Sequence, residues 1–339
     1  MRYKLLGNSG LRVSELCLGT MTFGKEWGWG SDYKTSKNVF DEFIKAGGNF
    51  IDTANLYTLG TSEKMVGEFI ASDRERFVLA TKYTLWDRMD DVSFSGNSRK
   101  NLFRSVEASL DRLNTDYIDL LWVHAWDFTT PVEEVMRSLD DLVRTGLVHY
   151  IGISDTPAWV VSQANTMADL KSWTKFIALQ IEYSLIERTP ERDLLPMAKA
   201  LNIGVTPWAS LGGGVLTGKY LKKQKGRIED NHPRRNERNT MIAKEVVKIA
   251  KELGVSPAQV AINWTRQQNQ QVIPIIGASK VEQLKDNLAC LNFEIPEDHM
   301  NRLDEVSKIE LGFPHDFLKS DMVKNVSFGG MYDKIDFEG

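Results

Sequence analysis

Three consecutive apolar runs of the sequence each end in one ionisable side chain. These side chains are Asp52, Lys82 and His124, and Tyr57 follows the first of them closely. An ammonium beside a phenol favours the phenolate, and a carboxylate paired with that ammonium keeps it charged and in place. A histidine on the other side could orient a carbonyl oxygen by hydrogen bonding. The four side chains together could therefore give a proton to a carbonyl as it accepts hydride.

Each of these side chains also has an ordinary structural explanation. Tyr57 could be an aromatic residue at the rim of a loop, His124 a hydrogen-bonded core histidine, and Lys82 a solvated strand end. Their combination at consecutive strand ends favours a reaction centre. The sequence shows no metal-ligand spacing, no Ser or Cys nucleophile elbow and no paired carboxylates at a strand end. We therefore predict no metal site.

The elements that must position these residues alternate between strand and helix. The predicted strands cover residues 15–19, 50–52, 77–82, 118–124, 148–154, 177–180, 204–207 and 272–276. The predicted helices cover residues 34–46, 63–71, 98–113, 132–144, 158–168, 192–201 and 281–291. This alternation implies parallel strands with right-handed crossovers, and eight such units form an α/β fold, the (β/α)8 TIM barrel. A doubly wound open sheet is the alternative, but no G-x-G-x-x-G turn follows the first strand.

Four segments lie outside these units of a chain that we predict to be a single domain over residues 1–339. Residues 1–14 read as an N-terminal β-hairpin cap that turns at Asn8-Ser9-Gly10. Residues 212–239 form a long connection, rich in Gly, Lys and Arg, after the seventh strand. Loops of that length are usually lids or disordered excursions. An extra helix is predicted over 257–268, and residues 308–339 form a C-terminal tail.

The composition excludes several classes of protein. The chain has 339 residues, of which 42% are hydrophobic and 26% charged, so it can bury a large core and is not disordered. Its net charge of −4 argues against nucleic acid as a partner. No apolar run approaches the roughly 20 residues of a membrane helix. Two cysteines, Cys17 and Cys290, are too few for a disulfide framework, so we expect a cytoplasmic protein with reduced thiols.

Short motifs recur in a fixed order along the chain. They are Phe50-Ile51-Asp52-Thr53-Ala54 with Tyr57, Ala80-Thr81-Lys82, Asp119-Leu120-Leu121 through His124 to Asp127, Gly152-Ile153-Ser154, Leu179-Gln180 with Tyr183-Ser184, Trp208 through Gly218-Lys219-Tyr220, and Pro274 through Gly277, Gln283 and Asn287. In these motifs the sequence resembles the aldo-keto reductases, a family of NADP-dependent (β/α)8 barrels. Within this family, the motifs resemble those of the aryl-alcohol dehydrogenase-like and potassium-channel β-subunit-like branches.

The resemblance implies a role for each residue of the tetrad. Tyr57 would be the general acid and base, Lys82 and Asp52 would lower and hold its pKa, and His124 would orient the substrate carbonyl. The implied cofactor is NADP, with NADPH preferred over NADH. Its implied contacts are Thr20, Met21, Asp52, Ser154, Gln180, Trp208, Leu211, Gly212, Gly214, Lys219, Gly277, Ser279, Lys280, Gln283, Asp286 and Asn287.

The chain departs from the family pattern at two positions. Asp155 stands where many members have Asn beside Ser154, which places an anion near the nicotinamide carboxamide. Gly277 replaces the lysine of other branches, so Lys280 would supply the charge for the 2′-phosphate. The resemblance also implies that Trp208 stacks on the nicotinamide.

The loop 212–239 would fold over the cofactor. Its basic residues would then face phosphate at least in part, namely Lys219, Arg227, Arg234 and Arg235.

Four tryptophans in predicted loops are candidates for the substrate pocket, namely Trp27, Trp29, Trp86 and Trp126. Such residues suit a flat or apolar, aromatic carbonyl substrate, although each could instead brace its own loop. The predicted function is an NADP-dependent enzyme that reduces aldehydes or ketones to alcohols, or the reverse. The alternative is a cofactor-binding, redox-sensing regulatory subunit with little turnover, and the complete tetrad favours the enzyme.

Overall fold

The computed structural model describes residues 1–222, 224, 226–268 and 271–336. Residues 223 and 225 of the predicted loop, and 337–339 of the predicted tail, lie outside this part. The strands are β1 Tyr3–Leu5, β2 Arg12–Ser14, β3 Cys17–Gly19, β4 Phe50–Asp52, β5 Val78–Tyr83, β6 Ile118–Val123, β7 Val148–Ser154, β8 Phe176–Glu182, β9 Gly204–Trp208 and β10 Ile275–Ile276. The helices are α1 Tyr33–Lys45, α2 Thr61–Ile70, α3 Arg99–Leu113, α4 Val132–Thr145, α5 Ala158–Lys171, α6 Leu194–Ala200, α7 Glu237–Leu253, α8 Pro257–Gln267, α9 Val281–Leu288, α10 Glu297–Ser307, α11 His315–Lys319 and α12 Asp321–Phe328.

Eight of the strands form one parallel sheet in the order β10-β3-β4-β5-β6-β7-β8-β9. The two edges of this sheet meet through backbone hydrogen bonds. The Val205 N–H donates to the Gln271 carbonyl at 3.0 Å, and the Ile273 N–H donates to the Val205 carbonyl at 2.8 Å. The sheet is thereby closed, and the predicted (β/α)8 barrel is confirmed.

Alternate residues of the strands point into the barrel and fill it. Among them Trp122 is fully buried, and the neighbouring strand offers a glycine, Gly152, at the same level. A Cβ at Gly152 would lie 2.4 Å from the Trp122 ring, so only glycine leaves room for it. The same inward-facing series ends, at the carboxyl ends of the strands, in Asp52, Lys82 and Gln180.

The predicted hairpin closes the opposite end of the barrel. β1 and β2 pair antiparallel, and Leu6 just after β1 is fully buried in the inner core. Gly7 follows with a φ of +56°, and a Cβ there would lie 2.1 Å from the Ile177 carbonyl oxygen. Glycine therefore allows the hairpin to lie directly against the lower ends of the barrel strands.

Helix ends follow the signals in the sequence. The Ser98 hydroxyl accepts a hydrogen bond from the Asn101 N–H and caps α3. Gly146 ends α4 in a left-handed conformation. None of the helices within the described ranges is long and apolar enough to span a membrane.

The structure differs from the predicted elements in three places. α7 begins inside the predicted connection 212–239, capped by the Asn236 side chain, and fills a stretch for which we predicted no element. The last strand is shorter than predicted, because Pro274 has no N–H to donate to a ladder. The region after residue 296 is helical, with α10 to α12.

Candidate active site

A cavity of about 880 Å³ opens at the carboxyl ends of the barrel strands. Catalytic sites of this fold lie at this end of the barrel. Asp52, Tyr57, His124 and Gln180 form part of its wall. Lys82 is fully buried next to Asp52.

Lys82 and Asp52 form a buried ion pair. The Lys82 ammonium donates to Asp52 Oδ2 at 2.5 Å and to the Thr53 carbonyl at 2.8 Å. The Gln180 amide donates to the other oxygen, Asp52 Oδ1, at 3.0 Å. Burial opposes the charge on Lys82, but Asp52 and Tyr57 together raise its pKa above the ordinary value. Lys82 is therefore held as an ammonium at a fixed position.

Tyr57 lies at the start of a strained turn. The next two residues, Thr58 and Leu59, have φ values of 48° and 54°. The buried Thr58 hydroxyl fixes the turn, since it donates to the Phe23 carbonyl at 2.6 Å and accepts from the Ser62 N–H at 3.1 Å. Such strain persists only where the surrounding structure enforces it, and it is common at functional sites.

The turn brings the phenol of Tyr57 over the ion pair. The Lys82 nitrogen lies 4.7 Å from the centre of the Tyr57 ring. Burial raises the pKa of Tyr57 above its ordinary value, and the Lys82 ammonium opposes that effect. The Lys82 ammonium alone would lower the pKa of Tyr57, as expected from the sequence. In the structure the opposing effect of burial is larger. Tyr57 is consequently a neutral phenol at neutral pH.

His124 faces Tyr57 across the cavity with its ring edge to face at a centroid distance of 6.0 Å. Burial, with the nearby Lys82 charge, lowers the pKa of His124 well below 6.5. Its Nδ1 atom is buried and finds no hydrogen-bond partner within the part of the chain that the structure describes. His124 is therefore a neutral imidazole with an unused polar atom.

One wall of the cavity combines Ser154, Asp155, Gln180 and Trp208. The Ser154 hydroxyl is buried and unpartnered among the described residues. Because the Asp52 carboxylate can only accept, the Gln180 amide nitrogen must face it, which leaves the Gln180 oxygen for another group. The Trp208 indole N–H donates to Asp155 Oδ1 at 3.2 Å. These free polar atoms fit an amide-bearing ligand such as nicotinamide.

The glycine-rich segment after β9 forms the next part of the wall. Gly212, Gly213 and Gly214 all have positive φ, and the last two line the cavity beside Leu211. A Cβ at Gly214 would lie 2.4 Å from Lys219 Cε, so the glycine allows the lysine to cross the segment. Such a bare backbone beside an ammonium fits a phosphate group.

The far end of the cavity is formed by the start of α9. Its lining there comprises Gly277, Ser279, Gln283, Asp286 and Asn287. The Gln283 side chain accepts from the Ser279 N–H at 3.0 Å. Lys280 precedes α9 and is exposed, outside the cavity wall. Thr20 is buried and donates to the Asp52 carbonyl, whereas Met21 lines the cavity.

The four candidate tryptophans separate into two pairs. Trp27 and Trp29 line the cavity, and Trp27 packs edge to face against Tyr57 at 6.3 Å. Trp86 and Trp126 are half-buried and do not line it. Trp126 instead packs against the core between sheet and helices.

The predicted loop folds back over the cavity. Arg227, Ile228, His232 and Arg234 contribute to the lining. The Tyr220 hydroxyl donates to the Gly213 carbonyl at 3.1 Å and accepts from the Ile228 N–H at 3.3 Å.

Two of the loop's basic residues form ion pairs with carboxylates of the protein. Arg234 donates to Glu182 at 2.5 Å, and Arg235 pairs with Asp230 and does not line the cavity. Sequence reasoning missed several lining residues, among them Leu56, Leu85, Ile228 and His232. Nothing in their local pattern distinguishes them from ordinary loop residues.

A closed eight-stranded parallel barrel with a cavity at the carboxyl ends of its strands defines an α/β-barrel enzyme architecture. The model of the aldo/keto reductase family matches residues 15–308, and the chain therefore belongs to that family.

Three relatives are similar over most of their length. The norsolorinic acid reductase of Aspergillus flavus is 40% identical over 324 residues, covering 93% of this chain and 83% of the relative. The aryl-alcohol dehydrogenase [NADP(+)] of Phanerodontia chrysosporium is 36% identical over 356 residues, covering 98% and 92%. An aryl-alcohol dehydrogenase of Pestalotiopsis microspora is 36% identical over 340 residues, covering 97% and 86%.

Proposed function

We propose that this chain is an NADP(H)-dependent oxidoreductase that reduces aldehyde or ketone carbonyls to alcohols, or catalyses the reverse reaction. The observation that carries the proposal is the buried Lys82 ammonium, bound to Asp52 and lying 4.7 Å from the Tyr57 ring at a cavity wall. The names of the relatives agree with it, since two are aryl-alcohol dehydrogenases and one of these is named for NADP.

The residues present fit a dinucleotide. Ser154 and Gln180 offer free polar atoms to a carboxamide, the glycines beside Lys219 suit a pyrophosphate, and the start of α9 suits an adenosine phosphate. When bound, NADPH would supply the hydride. The cofactor site would then lie along the cavity from Trp208 to Asn287.

The tetrad would supply the proton. Tyr57 holds a proton on its phenol oxygen because burial raises its pKa, and it would give that proton to the carbonyl oxygen. The Lys82 ammonium would stabilise the phenolate left behind, and Asp52 holds Lys82 in place. His124, neutral at working pH, would hydrogen-bond the same carbonyl oxygen and orient it.

The direct test follows NADPH absorbance with an aromatic aldehyde, in wild type and in Tyr57→Phe. We expect the variant to lose roughly 10²-fold or more in kcat, the range of general acid–base catalysis. NADPH affinity should stay near that of wild type, because the phenol does not hold the cofactor. Full turnover by Tyr57→Phe would refute the mechanism.

A second measurement separates the enzyme from the regulatory subunit and tests cofactor choice. Tight NADPH binding without turnover on any member of a carbonyl panel would favour the subunit. Lys280 and the start of α9 support a preference for NADPH over NADH, and equal affinities for both would contradict that preference. We also propose a cytoplasmic location, which the two free, buried cysteines support.

A further inference from the structure

We propose that Asp155 sets the relative affinity of this site for the oxidised and reduced cofactor, by placing a carboxylate charge beside the nicotinamide position. The inference rests on the proposed function. The oxidised nicotinamide ring carries a positive charge and the reduced ring carries none. A fixed anion next to the ring therefore stabilises bound NADP⁺ and leaves bound NADPH almost unaffected.

The backbone holds Asp155 in a single place at the rim of β7. Its φ of 41° is left-handed, and its N–H donates to the Gln180 carbonyl at 3.2 Å. Its neighbours in the cavity wall are Ser154, Gln180 and Trp208, the residues proposed to hold the carboxamide and the ring. One oxygen, Oδ1, accepts the Trp208 indole N–H at 3.2 Å. The carboxylate is thus tied to the residue proposed to stack on the nicotinamide.

The charge of Asp155 is not neutralised by a partner. No lysine, arginine or histidine nitrogen of the described ranges forms a salt bridge with it. Lys82, the cation with the strongest influence on it, is already paired with Asp52. Glu182 repels it, although Arg234 binds Glu182. The wall beside the ring therefore carries a net negative charge at neutral pH.

Asp155 changes its charge within a pH range in which cofactor binding can be measured. Surrounding protein raises its pKa to about 6, while the Trp208 hydrogen bond and Lys82 act in the opposite direction. The carboxylate is charged above that pH and neutral below it. The preference for NADP⁺ should consequently be full near pH 7.5 and be lost as the pH falls through about 6.

Asp155→Asn is the matched variant, because it keeps the size and an acceptor oxygen for Trp208 and removes only the charge. Dissociation constants of NADP⁺ and NADPH would be measured by titration calorimetry on the full chain. We expect the variant to bind NADP⁺ about tenfold more weakly, and NADPH within about twofold of wild type. Equal weakening of both would show that Asp155 only positions Trp208 and would overturn the proposal.

The pH dependence of the wild-type protein gives a second, independent test. In wild type, the ratio of the NADP⁺ dissociation constant to the NADPH dissociation constant should rise as the pH is lowered from 7.5 to 5.5. In Asp155→Asn the same ratio should not change with pH. Both cofactors carry the same 2′-phosphate, so its own titration cancels in the ratio. Asp169→Asn is the control, since it removes a carboxylate on α5 that pairs with Lys175 and lies outside the cavity wall, and its ratio at pH 7.5 should match wild type.

The outcomes distinguish this inference from the proposed function. If wild type binds neither cofactor, both fall together. If wild type binds both and Asp155→Asn has an unchanged ratio, this inference alone is overturned. A ratio that is flat with pH in wild type would also overturn it. Weaker NADP⁺ binding in the variant, with a lost pH dependence, would support it.

Discussion

At the scale of the residue, burial decides the protonation state of each group in the tetrad. It raises the pKa of the Tyr57 phenol and lowers that of the His124 imidazole, so both are neutral. Lys82 keeps its charge because its Nζ atom lies 2.5 Å from the Oδ2 atom of Asp52, which is also buried. The site thus contains one ion pair, whose charges cancel, and two neutral groups. Tyr57 can therefore donate its proton from a site that already has the protonation state needed for the reaction.

His124 should make the stability of the protein depend on pH. The folded state holds its pKa well below 6.5, whereas the unfolded chain takes up a proton near 6.5. Below that pH the unfolded state binds more protons, so stability falls as the pH falls from about 7 to 5, by at most about 1.4 kcal/mol per pH unit. Urea unfolding should show a steeper loss in wild type than in His124→Asn.

Comparing wild type with His124→Asn cancels the contributions that other titratable groups make to the pH dependence of stability. Asp155, with its pKa raised to about 6, takes up a proton in the folded state and acts in the opposite direction, but it does so in both proteins. Equal pH slopes in wild type and His124→Asn would mean that His124 is not held neutral by the fold.

At the scale of the element, the sequence predicted the strand ends well because each inward-facing series stops at a polar residue. Asp52, Lys82 and Gln180 could be placed at one rim from strand order alone. Helix α7 was missed although Asn236 and Gly254 mark its ends: the predicted connection covered its first three residues, and no element was assigned to residues 240–253. The contacts that close the loop over the cavity join distant segments, such as Arg234 with Glu182, and local patterns do not contain them.

The loop of residues 212–239 should act as a clamp on the cofactor. Its closed form depends on Tyr220, whose hydroxyl joins Gly213 to Ile228. Limited proteolysis should cut this segment quickly in the cofactor-free protein, and NADP should suppress the cut, because phosphate contacts order the loop. Tyr220→Phe should be cut faster than wild type without cofactor. Equal cleavage of wild type with and without NADP would show that the loop is no clamp.

At the scale of the whole molecule, the two ends of the barrel differ: one end holds the candidate active site, and the other is closed by packed apolar side chains. The cavity lies at the carboxyl ends of the strands, and the hairpin β1–β2 with Leu6 packs against the opposite ends. In this fold the former end carries function and the latter carries stability. That the whole chain behaves as one domain stays a prediction.

A core substitution at the closed end should therefore change stability and leave catalysis unchanged. Leu6 is fully buried, so Leu6→Ala should lower the free energy of unfolding by about 2–5 kcal/mol through the cavity that it leaves. Leu5→Ala is the control, because Leu5 is 57% exposed and its loss should cost about 0.5 kcal/mol or less. Urea unfolding measures both variants, and kcat/KM for an aromatic aldehyde is measured well below the unfolding temperature. We expect kcat/KM to match wild type in both, because Leu6 contacts the lower ends of the strands, where Gly204 begins β9, and no residue of the tetrad. A large fall in kcat/KM for folded Leu6→Ala would mean that the two ends of the barrel are coupled.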